Sequence, residues 1–230
     1  MRILITAASS RLSHELAGAL AKSHEVVLTD RRQVSTQYSF ARSDLGHDQS
    51  TNELVRGMDA IIHPGEVAAG DRVSDQLDYL MRCTYNLLWA ASEEGVPRLI
   101  YLSTLRVMDR YDEEFVVTEQ WRPVPTTEMS VLRYHVGEYV CREFARESKI
   151  DCVSLRLGGL VWDDVKAGDL PTSVLYPDDM IQAVESALKV SVQGWDVFHV
   201  QSAVSGARFL TTSAEESLGY QPVPRGQVRG

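Results

Sequence analysis

Tyr134 and Glu138 stand four residues apart in a stretch, 130–147, whose apolar spacing predicts a helix, so a phenol and a carboxylate can share one helix face. A phenol becomes a useful acid–base group only when its pKa, ordinarily about 10, is lowered, and an ionised carboxylate beside it works in the opposite sense. A second set of polar groups closes an apolar run that begins at Arg98: Ser103 and Thr104, hydroxyls that either cap the next turn or reach a ligand. A third is the small-residue loop Thr6-Ala7-Ala8-Ser9-Ser10-Arg11-Leu12-Ser13, set between a short apolar run and a helical pattern. In alternating α/β chains this first strand-to-helix turn is the usual phosphate cradle. Asp30, at the end of the next apolar run, has the place of the acidic residue that takes a ribose about 20 residues after such a loop. It serves a turn cap equally well, and the following Arg31 and Arg32 would suit a 2′-phosphate instead.

These groups need a scaffold, and the pattern supplies one. Residues 2–6, 25–29, 59–63, 98–103, 151–156 and 196–200 read as strands; 12–22, 76–94, 130–147 and 177–189 read as helices. Residues 31–58 read as a polar loop, and the Gly, Pro and Arg content from about Gly219 reads as a loose tail. Alternation of this kind predicts a Rossmann-like, doubly wound parallel sheet with helices on both faces. The length suits a single domain over 1–230, with a short substrate-side region at about 157–177 and 201–230 forming a small C-terminal appendage.

The motifs, in this order, resemble the extended short-chain dehydrogenase/reductase, or NAD-dependent epimerase/dehydratase, family, and most closely its uronate dehydrogenase branch. The loop has the position and length of T-G-x-x-G-x-x-G, with Ala7, Ser10 and Ser13 where the glycines would stand. Asp44-Leu45 is similar to the Asp-Leu pair beside adenine, and Asp59 to Gly65 to D-x-V-I-H-L-A, departing at Pro64 and Gly65. Thr84 to Ala91 resembles T-x-N-L-L-E-A-A, Arg156-Leu157-Gly158 resembles R-x-G, and Leu218 to Pro222 resembles L-G-Y-x-P. The resemblance implies NAD or NADP as cofactor, bound by Ala7, Ser9, Ser10, Arg11, Leu12, Asp30, Arg31, Asp44, Leu45 and His63. It implies Thr104 as the hydroxyl that orients substrate, Tyr134 as the acid–base residue, and Glu138 at the place of the lysine of Y-x-x-x-K. That lysine lowers the tyrosine pKa and binds the nicotinamide ribose, so its loss removes both services. Leu80 and Cys83 replace an Asn and a Gly of the same pattern.

Two of the neighbours of Tyr134, Arg133 and His135, project about 100° away on a helix, leaving Arg106 as the replacement cation; Glu138 is expected to pair with Arg142 one turn on. The expectation is a pseudoenzyme with a binding or partner role, and its alternative an active NAD(P)-dependent oxidoreductase or epimerase on a sugar or sugar acid with a rearranged site. The balance of 23 Lys and Arg against 32 Asp and Glu, a net charge of −9, argues against nucleic acid or an anionic membrane as partner. A small nucleotide or sugar ligand fits, as does a homodimer through helices 76–94 and 130–147. Three cysteines without ligand spacing predict no metal site and a reducing, cytoplasmic setting.

Overall fold

The computed structural model describes residues 1–66, 72–163 and 173–224. Strands β1 (Arg2–Ile5), β2 (Glu25–Asp30), β3 (Ser39–Arg42), β4 (Ala60–Pro64), β5 (Arg98–Thr104), β6 (Asp151–Leu157) and β9 (Trp195–Val200) form one parallel sheet in the order β3-β2-β1-β4-β5-β6-β9. Its central strands are apolar without alternation because both faces are covered: Ile3, Leu4 and Ile5 are fully buried, as are Ala60, Ile61 and Ile62. A two-stranded ribbon, β7 (Gly159–Leu160) with β8 (Val174–Leu175), lies outside the sheet.

One face is covered by α1 (Arg11–Leu20) and α6 (Pro177–Lys189), the other by α2 (Gln49–Val55), α4 (Thr84–Glu93) and α5 (Met129–Arg146). Helix α1 buries Leu12, Leu16, Ala17 and Leu20, the helical spacing read from the sequence. Helix α6 begins where Pro177 occupies the first turn, with Asp178 and Asp179 facing the positive end of the helix dipole. A smaller cluster of Leu105, Val107, Met108, Val117, Val131 and Phe209 anchors the segment beyond β5.

Three expectations are corrected. The supposed polar loop contains β3 and α2; β3 is a four-residue, half-exposed edge strand, and α2 starts at Asp48, whose carboxylate accepts from the backbone of Ser50 and Thr51. The predicted helix 76–94 is two helices, α3 (Val73–Asp78) and α4, joined by a wide π-type turn over Tyr79–Cys83 that turns Tyr79, Leu80 and Cys83 all inward. The end of the chain is not loose from Gly219: Tyr220 is fully buried and its hydroxyl donates to the Gln201 carbonyl at 2.9 Å. Residues 164–172, part of the expected substrate-side region, and the last six residues lie outside the described ones. No described helix is long and apolar enough to cross a membrane.

Candidate active site

Strand order reverses beside β1: its neighbour on one side is β2 and on the other β4. In open α/β sheets ligands sit at such a switch point, beyond the carboxyl ends of the strands. The loop after β1 keeps the shape of a phosphate turn without its glycines. Ala7 has φ +53°, the left-handed region that costs a residue with a Cβ about 1–2 kcal/mol. The turn is held by Ala8 N–H donating to Thr29 O and Ser10 N–H to Ala7 O. Ser10 is the N-cap of α1, accepting from Ser13 N–H, and the Ser13 hydroxyl donates to Thr6 O at 2.8 Å. Asp30 turns into this loop: one carboxylate oxygen accepts from the Ser9 backbone and hydroxyl, the other from Arg32 N–H. Of the two roles open to Asp30, the structure displays the turn cap. Leu12 is buried against the core, the Arg11 guanidinium stacks on Trp162 at 4.4 Å, and Arg31 faces Asp75 and Asp78.

The loop after β4 brings residues that sequence reasoning missed. Glu66 lies within hydrogen-bonding reach of the Ser10 hydroxyl, placing a carboxylate at the N-terminus of α1. Burial raises the Glu66 pKa, with Ser10 and Arg133 opposing that rise. Arg133 does not point away from Tyr134 as the helix angle suggested: its long side chain folds back, the guanidinium 4.8 Å from the centre of the Tyr134 ring and Nη2 3.3 Å from its hydroxyl. Tyr134 is half-buried and its pKa is raised, chiefly by burial, with Arg133 pulling it down and Glu66 pushing it up. The ring lies directly over Gly65, where a Cβ would collide with it. That departure from the family pattern was the legible signal: without a side chain at 65, the phenol can settle against the end of β4. A cleft of about 180 Å³ remains, lined by Leu12, Pro64, Glu66, Ser103, Thr104 and Tyr134 among others. It is smaller than the roughly 300–1,000 Å³ of ordinary ligand pockets.

Glu138 does not pair with Arg142. It points inward from α5 to a bidentate ion pair with Arg156 of β6, Nε to Oε1 and Nη2 to Oε2 both at 2.9 Å, with both side chains almost wholly buried. Arg142 instead contacts Glu143 at 3.3 Å and stacks on Tyr139. A helix-only argument misses this because it ignores the strand beneath; Arg156, known from the sequence only as part of R-x-G, is the partner. Arg106 spans Asp109, Glu128 and Ser130 on the surface; it pulls the Tyr134 pKa down less than Arg133 does, so Arg133 and not Arg106 is the main cation at the phenol. Thr104 lines the cleft and its hydroxyl accepts from Arg106 N–H at 3.3 Å. His63 is fully buried between the hydroxyls of Thr6 and Thr84, at 2.6 and 2.9 Å, and burial lowers its pKa to about 3. Asp44 is exposed while Leu45 is an anchor in the core; the Cys83 thiol donates to Asp44 O, and burial lifts its pKa to about 11. No cluster able to hold a metal occurs among the described residues.

A doubly wound parallel sheet, a loop-to-helix cradle at its switch point, a strand-end threonine and a tyrosine on the facing helix define a Rossmann-type domain of the short-chain dehydrogenase class. The model of the NAD dependent epimerase/dehydratase family matches residues 3–208, and the chain belongs to that family. It is 22% identical over 239 residues to Uncharacterized protein YtbQ of Bacillus subtilis, covering 96% of this chain and 93% of that one. It is 24% identical over 230 residues to Uronate dehydrogenase of Agrobacterium fabrum, covering 96% of this chain and 84% of the relative. The crystal structure of uronate dehydrogenase from Agrobacterium tumefaciens superposes with a TM-score of 0.83 at 21% identity, over 98% of this chain and 85% of that one.

Proposed function

We propose that this chain is a non-catalytic member of its family, a binding or partner subunit whose nicotinamide corner is filled by its own side chains. The observation that carries the reading is Glu138: at the position of the lysine it is a carboxylate, bonded at both oxygens to a buried arginine, and it offers neither a cation to Tyr134 nor a donor to a nicotinamide ribose. The switch point supports the same reading. A pyrophosphate at the head of α1 needs free backbone N–H groups and an uncontested positive helix end, whereas here Ser10 caps the helix and the Glu66 carboxyl group already occupies that end. A ribose needs acceptor capacity on Asp30, and it would compete there with Ser9, which donates twice to one oxygen, and with Arg32 N–H, which donates to the other. These residues do not fit a dinucleotide in the family's pose, so no catalytic step is assigned through one.

The competing reading is an active NAD(P)-dependent oxidoreductase or epimerase on a sugar or sugar acid. It is favoured by one contact, the Arg133 guanidinium on Tyr134, which supplies a cation from an unexpected position. Calorimetric titration with NAD(H) and NADP(H), together with assays on uronates and aldoses, separates the two. The expected result is weak or no binding and no turnover. Hydride transfer abolished by both Tyr134→Phe and Arg133→Ala would establish the second reading.

A further inference from the structure

Beside α5, the groove between that helix and the edge strand β9 forms a cleft of about 250 Å³. Arg122, His135, Arg142, Arg156 and Trp195 line it together with Glu138. Three arginines thus face one carboxylate in a protein of net charge −9. That carboxylate is spent, because Glu138 is bonded at both oxygens to Arg156. Arg156 is itself nearly buried and fixed by that fork, so the pair forms a rigid, charge-balanced floor and leaves the excess positive charge to Arg122 and Arg142. At the rim, Arg142 stacks on Tyr139 and pairs at 3.3 Å with Glu143, a carboxylate it shares with Arg146, and the exposed guanidinium of Arg122 has no hydrogen-bond or ion-pair partner among the described residues. Guanidinium groups in excess of carboxylates around a concave, partly desolvated space focus a positive potential, and their planar donor forks match oxyanions.

We propose that this cleft is a binding site for a small oxyanion, a phosphate or carboxylate group, held by Arg122 and Arg142 above the Glu138–Arg156 floor. Its volume suits a small anion better than a dinucleotide. It is separate from the cleft over Thr104 and stands whether or not the chain has catalytic activity. His135, on the same wall, reports occupancy. Burial and the facing guanidiniums of Arg156, Arg142 and Arg122 keep its pKa below the ordinary value against the opposing pull of Glu138, so an anion neutralising those cations raises it.

The experiment titrates the intact protein with inorganic phosphate and, separately, with glucuronate. Ionic strength is held constant, sodium chloride serves as control, and the ring resonances of His135 are followed by NMR across pH. Saturable shifts with one or both anions, an upward move of the His135 pKa, and about a tenfold or greater loss of affinity in Arg122→Ala are expected. The two arms show whether phosphate or carboxylate is preferred. Arg122 is exposed and its replacement leaves the core intact, so a null result in that variant is interpretable. Absence of saturation with both anions, an equal response to chloride, or affinity unchanged in Arg122→Ala would overturn the proposal.

Discussion

The Glu138–Arg156 pair is a two-sided commitment at the level of single residues. Both charges have left water, and each is tolerated because the other completes its hydrogen bonds. Removing one partner leaves the other buried alone, so Glu138→Ala is expected to destabilise the fold by about 3–5 kcal/mol. A paired Glu138→Met and Arg156→Met change should recover most of that loss, and urea unfolding of the three proteins checks it. Glu138→Lys would set a second cation against Arg156, so restoring the family's lysine is expected to harm the fold without restoring catalysis. The sequence revealed that position 138 was abnormal but not what it does, since the pairing depends on which side chain of β6 faces α5. Arg133 was misjudged for a related reason: helix angles fix where a Cα–Cβ bond points, not where a long flexible side chain ends.

Among the elements, α4 and α5 share an exposed apolar surface. Met81 in the turn before α4 is 47% exposed, and Tyr85 and Tyr139 are 43% and 55% exposed. With Trp89 and Phe144 the two tyrosines border a groove of about 430 Å³ between the helices. Single exposed aromatics are ordinary, but a contiguous set on two packed helices is characteristic of an interface. In the homodimer expected from the sequence through these helices, Tyr85→Asp places a charge in the contact. Sedimentation velocity should then show a dimer for the unaltered chain and a monomer for the variant; a monomer in both removes the proposal. The long helices and central strands were legible because their apolar periods extend over many residues. The edge strand β3 has four residues with one large apolar side chain, Phe40, and α2 has seven, too short for a period to emerge. The π-type turn at Tyr79–Cys83 left no mark that composition alone could reveal.

For the whole molecule, acid should be more damaging than the ordinary carboxylate range suggests. His63 and His199 are fully buried, and burial lowers both pKa values to about 3. Unfolded, each has the ordinary value of about 6.5 and takes up a proton that the folded chain refuses. The stability tied to them is therefore complete above about pH 6.5 and declines as pH falls toward 3, by up to about 1.4 kcal/mol per pH unit for each. His135 acts in the same direction. Urea midpoints at pH 7, 6 and 5 should fall in that order, and His63→Gln should flatten the slope; a flat profile in the unaltered protein would refute the assignment. The overall architecture was readable because alternation of strand and helix allows few parallel topologies. The interior of the site was not, because it depends on Gly65 and Glu66 of the loop after β4 meeting Arg133 and Tyr134 of α5.

The occupied switch point also has a thermodynamic corollary. A protein that binds a nucleotide only when folded gains stability by mass action, about 2.7 kcal/mol at a hundredfold excess over Kd. Here the group at the head of α1 is the Glu66 carboxyl, tethered in the same chain, and a tethered group has an effective concentration that no metabolite pool alters. On the reading proposed above, the melting temperature should be the same in buffer and in millimolar NAD. The fold would then be uncoupled from the redox state of its surroundings.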